Sequence, residues 1–332
     1  MLYLIIAIAL LFDFTNGSND SSNIVATAIS SGAISPRRAM TITAIAEFIA
    51  PFLFGVAVAN TLGNGLVDPT VITLPVVLAA VISAISWNLI TRAIGIPSSS
   101  SHALVGGLLG ASILTNGFSV VHLAGLRKVL TGLFVSPLLG LVFGYLFMLL
   151  MRLLTSQASP IINNLFKRLQ LFTLICLALS HGSNDSQKTM GIITLGLVTA
   201  GVQKTFYVPL WVIACSAGAI SLGTTFGGWR LIKTLGWGMF RIRPLNAFTA
   251  QFASAVVILS AAAMGNPVST THVISTSIMG SGAAERINKI RWGIAQNMLL
   301  TWILTIPLSA AFSALIFWCL NLITTIPAQL GF

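Results

Sequence analysis

Gly17-Ser18-Asn19-Asp20-Ser21-Ser22-Asn23, close to the start of this 332-residue chain, is read again as Gly182-Ser183-Asn184-Asp185-Ser186-Gln187-Lys188. The offset is 165 residues (17 to 182). Pro97-Ser98-Ser99-Ser100-Ser101-His102 answers to Pro267-Val268-Ser269-Thr270-Thr271-His272 at an offset of 170, as does Ser136-Pro137-Leu138 to Ile306-Pro307-Leu308. Three matches in one order at nearly constant spacing identify a duplication. The repeats divide as 1–155 and 171–332, with a polar cytoplasmic linker at 156–170 that holds Pro160, Asn163, Asn164, Lys167 and Arg168.

Between these motifs the chain is apolar. Hydrophobic residues make up 56% and charged residues 7%, where a soluble domain carries about 25% charged. With 17 Lys+Arg and 6 Asp+Glu, water is excluded as the solvent for most of the surface. Each half holds five apolar segments, near 1–33, 38–60, 70–92, 95–117 and 124–152, then 171–200, 207–230, 246–265, 267–284 and 292–325. Stretches of this length read as membrane helices. The expected class is an all-α polytopic membrane protein. Met1 to Leu11 lacks a basic region and a small-residue cleavage site, so a removable signal peptide is not expected.

Charge sets the expected orientation. If every segment crosses and the N-terminus lies outside, thirteen basic residues fall in cytoplasmic loops: Arg37, Arg38, Arg92, Arg152, Lys167, Arg168, Arg230, Lys233, Arg241, Arg243, Arg286, Lys289 and Arg291. Only Arg127, Lys128 and Lys204 fall outside, and Lys188 stays in the membrane. The positive-inside rule therefore favours an odd number of crossings per half. That makes the halves inverted repeats, with both termini outside a cell membrane. The net charge of +11 is a topology signal, and no nucleic-acid partner is expected. Inverted repeats with broken helices characterise secondary transporters.

The breaks are expected at the duplicated motifs, re-entrant or broken helices meeting near the midplane. A helix interrupted at Gly17 and restarting near Asn19, mirrored at Gly182, would aim two helix N-termini at one anion. The candidate anion-binding residues are Ser18, Asn19 and Asp20 with Ser183, Asn184 and Asp185. The hydroxyl runs Ser98, Ser99, Ser100, Ser101 and Ser269, Thr270, Thr271 start two further half-helices after Pro97 and Pro267, where proline suits a first turn.

Intramembrane carboxylates are costly and mark function. Asp20 and Asp185 are repeat mates, and two like charges beside an anion need a cation or a proton. Asp20, Asn23 and Thr27 stand at i, i+3 and i+7, an oxygen-bearing face that suits Na⁺. A Na⁺ held by Asp20, Asn23 and Asp185 is the expected co-ion, with H⁺ the alternative. Lys188 stands at i+3 from Asp185, so the two halves should not bind identical co-ions. Glu47, without an acidic mate, has three open roles: cation ligand, proton carrier or partner of a basic group. His102 and His272 close the two hydroxyl runs as packing residues, ligands or proton carriers. Gln187 and Lys188 complete the candidate set.

With these residues assembled, the chain resembles the inorganic phosphate transporter family, its bacterial branch in particular. The resemblance rests on the paired Gly-x-Asn-Asp-x-x-Asn motifs, on the Pro-x-Ser-x-x-His elements and on Glu47. The second copy departs from the motif, with Lys188 in place of Asn. The likeness covers nearly the whole chain and implies phosphate import coupled to Na⁺ or H⁺ by alternating access. Residues and spacing alone give an anion-coupled secondary transporter. Phosphate comes from the resemblance, aided by chemistry: hydrogen phosphate can donate a proton to Asp20 or Asp185, whereas sulfate has none at neutral pH. Sulfate is the nearest rival substrate.

Two other classes fit less well. An intramembrane Ser-His-Asp hydrolase needs one nucleophile and one base rather than two matched sets. A passive anion channel needs no carboxylates beside its anion. There is no Gly-x-x-x-x-Gly-Lys-Ser/Thr loop, so ATP-driven transport is not expected. No resident cofactor is expected, and Cys176, Cys215 and Cys319 form no metal spacing. The expected partners are inorganic phosphate, Na⁺ or H⁺, the bilayer, and a second copy of the chain if it oligomerises.

Overall fold

The computed structural model describes residues 1–68, 72–227, 232–238 and 240–329, with side chains of the final helix described to residue 322. Arg230, counted above among the cytoplasmic charges, and the C-terminal residue Phe332 lie outside the described residues. Among the described residues, eleven α-helices occupy the ten apolar segments. The first half holds α1 (Leu2–Ser30), α2 (Pro36–Phe54), α3 (Ala57–Asn64), α4 (Leu74–Ile94), α5 (Ser100–Asn116) and α6 (Leu123–Leu154). The second holds α7 (Ile162–Thr199), α8 (Leu210–Thr225), α9 (Pro244–Ala263), α10 (Thr270–Ala283) and α11 (Trp292–Gln329). The start of α7 at Ile162 places nine residues of the expected linker in a helix.

Six of these helices are long and apolar enough to cross a membrane, or seven if α2 and α3, bent by 79° at their junction, count as one span. α5 and α10, with 17 and 14 residues, extend only about 26 and 21 Å at 1.5 Å per residue. Neither covers the roughly 30 Å hydrocarbon core unaided. They are the half-helices expected after Pro97 and Pro267. Each starts behind a non-helical stretch, at 96–99 and 266–269, and each is capped by serine: Ser99 Oγ accepts from His102 N at 3.1 Å, and Ser269 Oγ from His272 N at 3.3 Å. Gly95, at φ +81°, closes α4 by donating its N–H to Thr91 and Arg92 carbonyls. This left-handed C-cap turns the chain towards α5.

The expected breaks at Gly17 and Gly182 are absent. α1 and α7 run continuously through both motifs. The glycines serve close packing instead. A Cβ on Gly182 would stand 2.7 Å from the Glu47 carbonyl oxygen of α2, and one on Gly17 would collide with the Ile220 carbonyl of α8. Helix interiors tolerate glycine at modest cost when a neighbouring backbone must come this near.

Two apolar clusters form the core. One gathers Phe12, Leu62, Val77, Leu104, Leu133 and Met190. The other gathers Ile24, Leu174, Leu177, Ile258, Ile274 and Trp302. A buried polar layer is contributed by Asn16–Asn23, Ser99–His102, Ser180–Thr189 and Ser269–His272. Large apolar side chains such as Phe134, Leu138, Leu146 and Leu153 of α6 face outward, as suits a lipid-facing surface. At the end of α6, Arg152 Nη1 donates to the Ala284 carbonyl at 2.6 Å, fixing the loop after α10. In that loop burial pushes the Glu285 carboxyl up, but hydrogen bonds from Lys289 and Asn246 with the Lys289 and Arg243 charges outweigh it and hold it below its usual range.

Candidate functional site

The polar layer is built on one stripe of α1 and its counterpart on α7. Because α1 is continuous, Asn16, Asn19, Asp20 and Asn23 fall at i, i+3, i+4 and i+7 on a single face. All four are buried. Asp20 Oδ1 accepts from Asn23 Nδ2 at 2.9 Å and from Thr271 Oγ1 at 2.8 Å, and Asn23 Nδ2 also donates to Thr271 Oγ1 at 2.9 Å. Four acceptors on this face, Asn16 Oδ1, Asn19 Oδ1, Asp20 Oδ2 and Asn23 Oδ1, receive no hydrogen bond among the described residues. Buried oxygens are rarely left so. Their number and hardness suit a small cation such as Na⁺.

On α7 the same four register positions are His181, Asn184, Asp185 and Lys188. Lys188 Nζ lies 2.8 Å from Asp185 Oδ1 and donates to Ser100 Oγ at 3.2 Å. Asp185 Oδ2 accepts from Asn16 Nδ2 at 3.1 Å and Thr270 Oγ1 at 3.2 Å. The tetrad helix of each half is thus met by the hydroxyl run of the other. Single ligand atoms of Asp20, His181 and Asp185 lie within 4.8 Å of one another, so the two duplicated carboxylates share one site.

His181 is the hub that sequence reasoning missed. Its Nδ1 is 2.8 Å from Glu47 Oε1, and its Nε2 is 3.3 Å from Asp185 Oδ2 and 3.9 Å from Asp20 Oδ2. Of the roles left open for Glu47, the observed contacts are a basic side chain and a hydroxyl: Thr224 Oγ1 donates to Glu47 Oε2 at 2.5 Å. The i, i+4 relation of His181 to Asp185 would have revealed the hub. The expected break at Gly182 concealed it.

Beside the carboxylates, at the N-terminus of α5, lies a small cavity lined by Asn16, Asn19, Asp20, Asn23, Asn88, Thr91, Arg92, Ser98 and Ser100. It leaves about 10 Å³ for the centres of water-sized spheres, room for about one water. Arg92, expected in a loop, reaches into it, and its Nη1 donates to Ser18 Oγ at 2.7 Å. Ser18 donates in turn to the Phe226 carbonyl at 3.2 Å. Thr91 and Ser98 share a hydrogen bond at 2.6 Å. Asn88 and Thr91 were hidden because α4 reads as uniformly apolar around them. Asn19 Nδ2 reaches the Asn88 carbonyl at 3.5 Å.

The N-termini of α5 and α10 converge here, as expected of the two half-helices. Ser101 Oγ donates to the Val268 carbonyl at 2.8 Å. The His102 and His272 rings pack with centroids 4.7 Å apart, and His272 stacks on Trp302 at 3.9 Å. Both histidine rings thus pack across the junction of the half-helices.

Three sequence expectations fall away from the site. Thr27 does not join Asp20 and Asn23; its Oγ1 accepts from Gln251 Nε2 at 2.9 Å, because seven residues at 1.5 Å each carry it about 10 Å along the helix axis, to α9. Gln187 is structural. Its Oε1 accepts from Val58 N at 2.8 Å and Ala59 N at 3.2 Å, and its Nε2 donates to the Gly55 carbonyl at 2.7 Å. It thereby satisfies backbone groups freed at the α2–α3 bend. Ser183 Oγ donates within its own helix, to the Ser180 carbonyl at 2.8 Å. Asn184 is buried beside Asp185, with neither side-chain polar atom hydrogen-bonded among the described residues.

Similarity to known proteins follows the same residues. A model of the phosphate transporter family matches residues 16–162 and 154–313. A "Probable low-affinity inorganic phosphate transporter" of Rhizobium meliloti (strain 1021) is 42% identical over 321 residues, covering 96% of each chain. One of Bacillus subtilis (strain 168) with the same description is 41% identical over 324 residues, covering 96% of this chain and 97% of its own. Among solved structures, "The sodium-dependent phosphate transporter" superposes with a TM-score of 0.87 at 26% identity, covering 97% of this chain and 99% of that one. These relatives are transporters rather than enzymes. Matches by one family model that together span residues 16–313, and full-length relatives above 40% identity, lead to one conclusion: the chain belongs to the phosphate transporter family.

Proposed function

We propose that this protein imports inorganic phosphate across a cell membrane by cation-coupled symport, with Na⁺ the favoured co-ion, through alternating access of two inverted repeats. One observation carries the reading: Asp20 and Asp185 come together beside the N-termini of α5 and α10, within reach of a cavity that also holds Arg92. First-turn N–H groups have no intrahelical acceptor, and the helix dipole favours an anion there. Ser98, Ser100 and Arg92 add donors, and Asp20 accepts from a protonated phosphate oxygen. The unpartnered oxygens of Asn16, Asn19, Asp20 and Asn23 hold the cation, whose charge offsets the repulsion between Asp20 and the anion.

The cavity is too small for phosphate as it stands. Entry therefore requires α1 and α4 to separate, beginning with the Arg92–Ser18 contact. Placed on the cytoplasmic side by the positive-inside pattern, Arg92 guards the inner exit.

Uptake into proteoliposomes tests the reading. Labelled phosphate should accumulate above equilibrium under an inward Na⁺ gradient. Accumulation under an H⁺ gradient alone would reassign the co-ion, and gradient-independent equilibration would indicate a channel. Excess sulfate should leave phosphate uptake unchanged. Arg92→Gln should raise the apparent KM for phosphate about 10- to 100-fold, the loss of one or more hydrogen bonds to a charged group. An unchanged KM would remove Arg92 from the phosphate path.

A further inference from the structure

The first half presents oxygen at four register positions on α1: Asn16, Asn19, Asp20 and Asn23. Adding the repeat offset of 165 gives His181, Asn184, Asp185 and Lys188 on α7. Two amide-bearing positions have become nitrogen bases. Lys188 points where its mate Asn23 points. Asn23 Nδ2 approaches Asp20 Oδ1 at 2.9 Å and a hydroxyl of α10; Lys188 Nζ approaches Asp185 Oδ1 at 2.8 Å and a hydroxyl of α5. Asn23 leaves its oxygen unpartnered, whereas Lys188 offers no oxygen at all. His181 takes the second flank of Asp185 with Nε2 at 3.3 Å. Lys188 is fully buried and is held to the site by its own stem.

From this we infer that Lys188 is a tethered co-ion: its ammonium fills the cation position of the second half, so that only the first half binds a mobile cation. The inference rests on the symport reading above and deepens it. A fixed ammonium neutralises Asp185 in every state of the cycle and adds nothing to the driving force. Phosphate accumulation should then follow the first power of the coupling-cation gradient. Where both halves keep oxygen ligands, it should follow the second power.

Lys188→Asn restores the ligand type of the first half, and Lys188→Met removes the charge without supplying an oxygen. With a tenfold inward gradient of the coupling cation and no membrane potential, Lys188→Asn should reach about ten times the wild-type phosphate ratio at equilibrium, one further coupled cation. Lys188→Met should gain nothing. Without phosphate, Na⁺ should raise the melting temperature of purified Lys188→Asn about 2–4 °C more than that of wild type or Lys188→Met. A Lys188→Asn variant indistinguishable from Lys188→Met in both measurements overturns the inference. Should neither variant fold, cation titration of wild-type uptake decides: a Hill coefficient near 1 supports one mobile cation, and a value near 2 defeats the tethered one. Failure of wild type to accumulate phosphate under any cation gradient would instead refute symport itself, and the Na⁺ melting comparison would still judge Lys188.

Discussion

Asp185→Asn will reduce coupled uptake about 100-fold or more, the equivalent of roughly 3 kcal/mol, and will also destabilise the fold. Asp20→Asn will reduce uptake comparably but leave the fold intact. The difference follows from what each carboxylate holds. Asp185 meets Lys188 Nζ at 2.8 Å and His181 Nε2 at 3.3 Å, with all three side chains at 0% exposure. Removing its charge strands an ammonium in the low-dielectric interior, a loss of about 3–5 kcal/mol for a buried pair broken from one side. Asp20 instead accepts hydrogen bonds from Asn23 and Thr271. An amide oxygen can accept both, so Asn fits the space and removes only the charge that balances the co-ion. Melting in detergent with proteoliposome uptake on the same preparations separates the two effects. An Asp185→Asn protein as stable as wild type would mean that Lys188 finds its counter-charge elsewhere. Full uptake by both variants would remove the carboxylates from transport.

The asymmetry was partly visible beforehand. The duplicated motifs, the ten segments, the half-helices after Pro97 and Pro267, and the meeting of Asp20 with Asp185 all follow from periodicity and repeat spacing, which are local or symmetric properties of a sequence. What misled was glycine. Gly17 and Gly182 sit among small polar residues, a combination that resembles a break when each helix is considered alone. The helices continue because the polar side chains find partners on other helices: Asp20 in Thr271, Asp185 in Thr270 and Asn16, Ser100 in Lys188. Such partners lie 85 to 251 residues away, beyond the reach of any window along the chain. Arg92 was lost for a related reason. A basic residue at the end of an apolar run is ordinarily a topology signal, and only the packing of α4 against α1 turns it into the cavity.

The role of those glycines yields the other large effect. Gly182→Ala and Gly17→Ala should each cost about 1–3 kcal/mol through overpacking and should abolish most uptake. A methyl on residue 182 would stand 2.7 Å from the Glu47 carbonyl oxygen and 2.8 Å from its Cα, so α2 must retreat. That retreat pulls Glu47 away from His181, which it contacts at 2.8 Å, and loosens the hub beneath both aspartates. At residue 17 the obstacle is the α8 backbone at Ile220, with Thr224 N 3.1 Å away. Displacing α8 moves Thr224, whose hydroxyl donates to the same Glu47. The two approaches therefore converge on one carboxylate from opposite sides, which gives a physical reason for glycine to open both motifs. Gly218→Ala is the control. It lies on α8 as well, has nothing within 4 Å of the added carbon, and should leave melting and uptake unchanged. If all three variants behave alike, close approach is not what these positions require. If Gly182→Ala folds normally but transports poorly, the displacement acts on the Glu47–His181 contact alone, and the hub is what couples helix packing to phosphate movement.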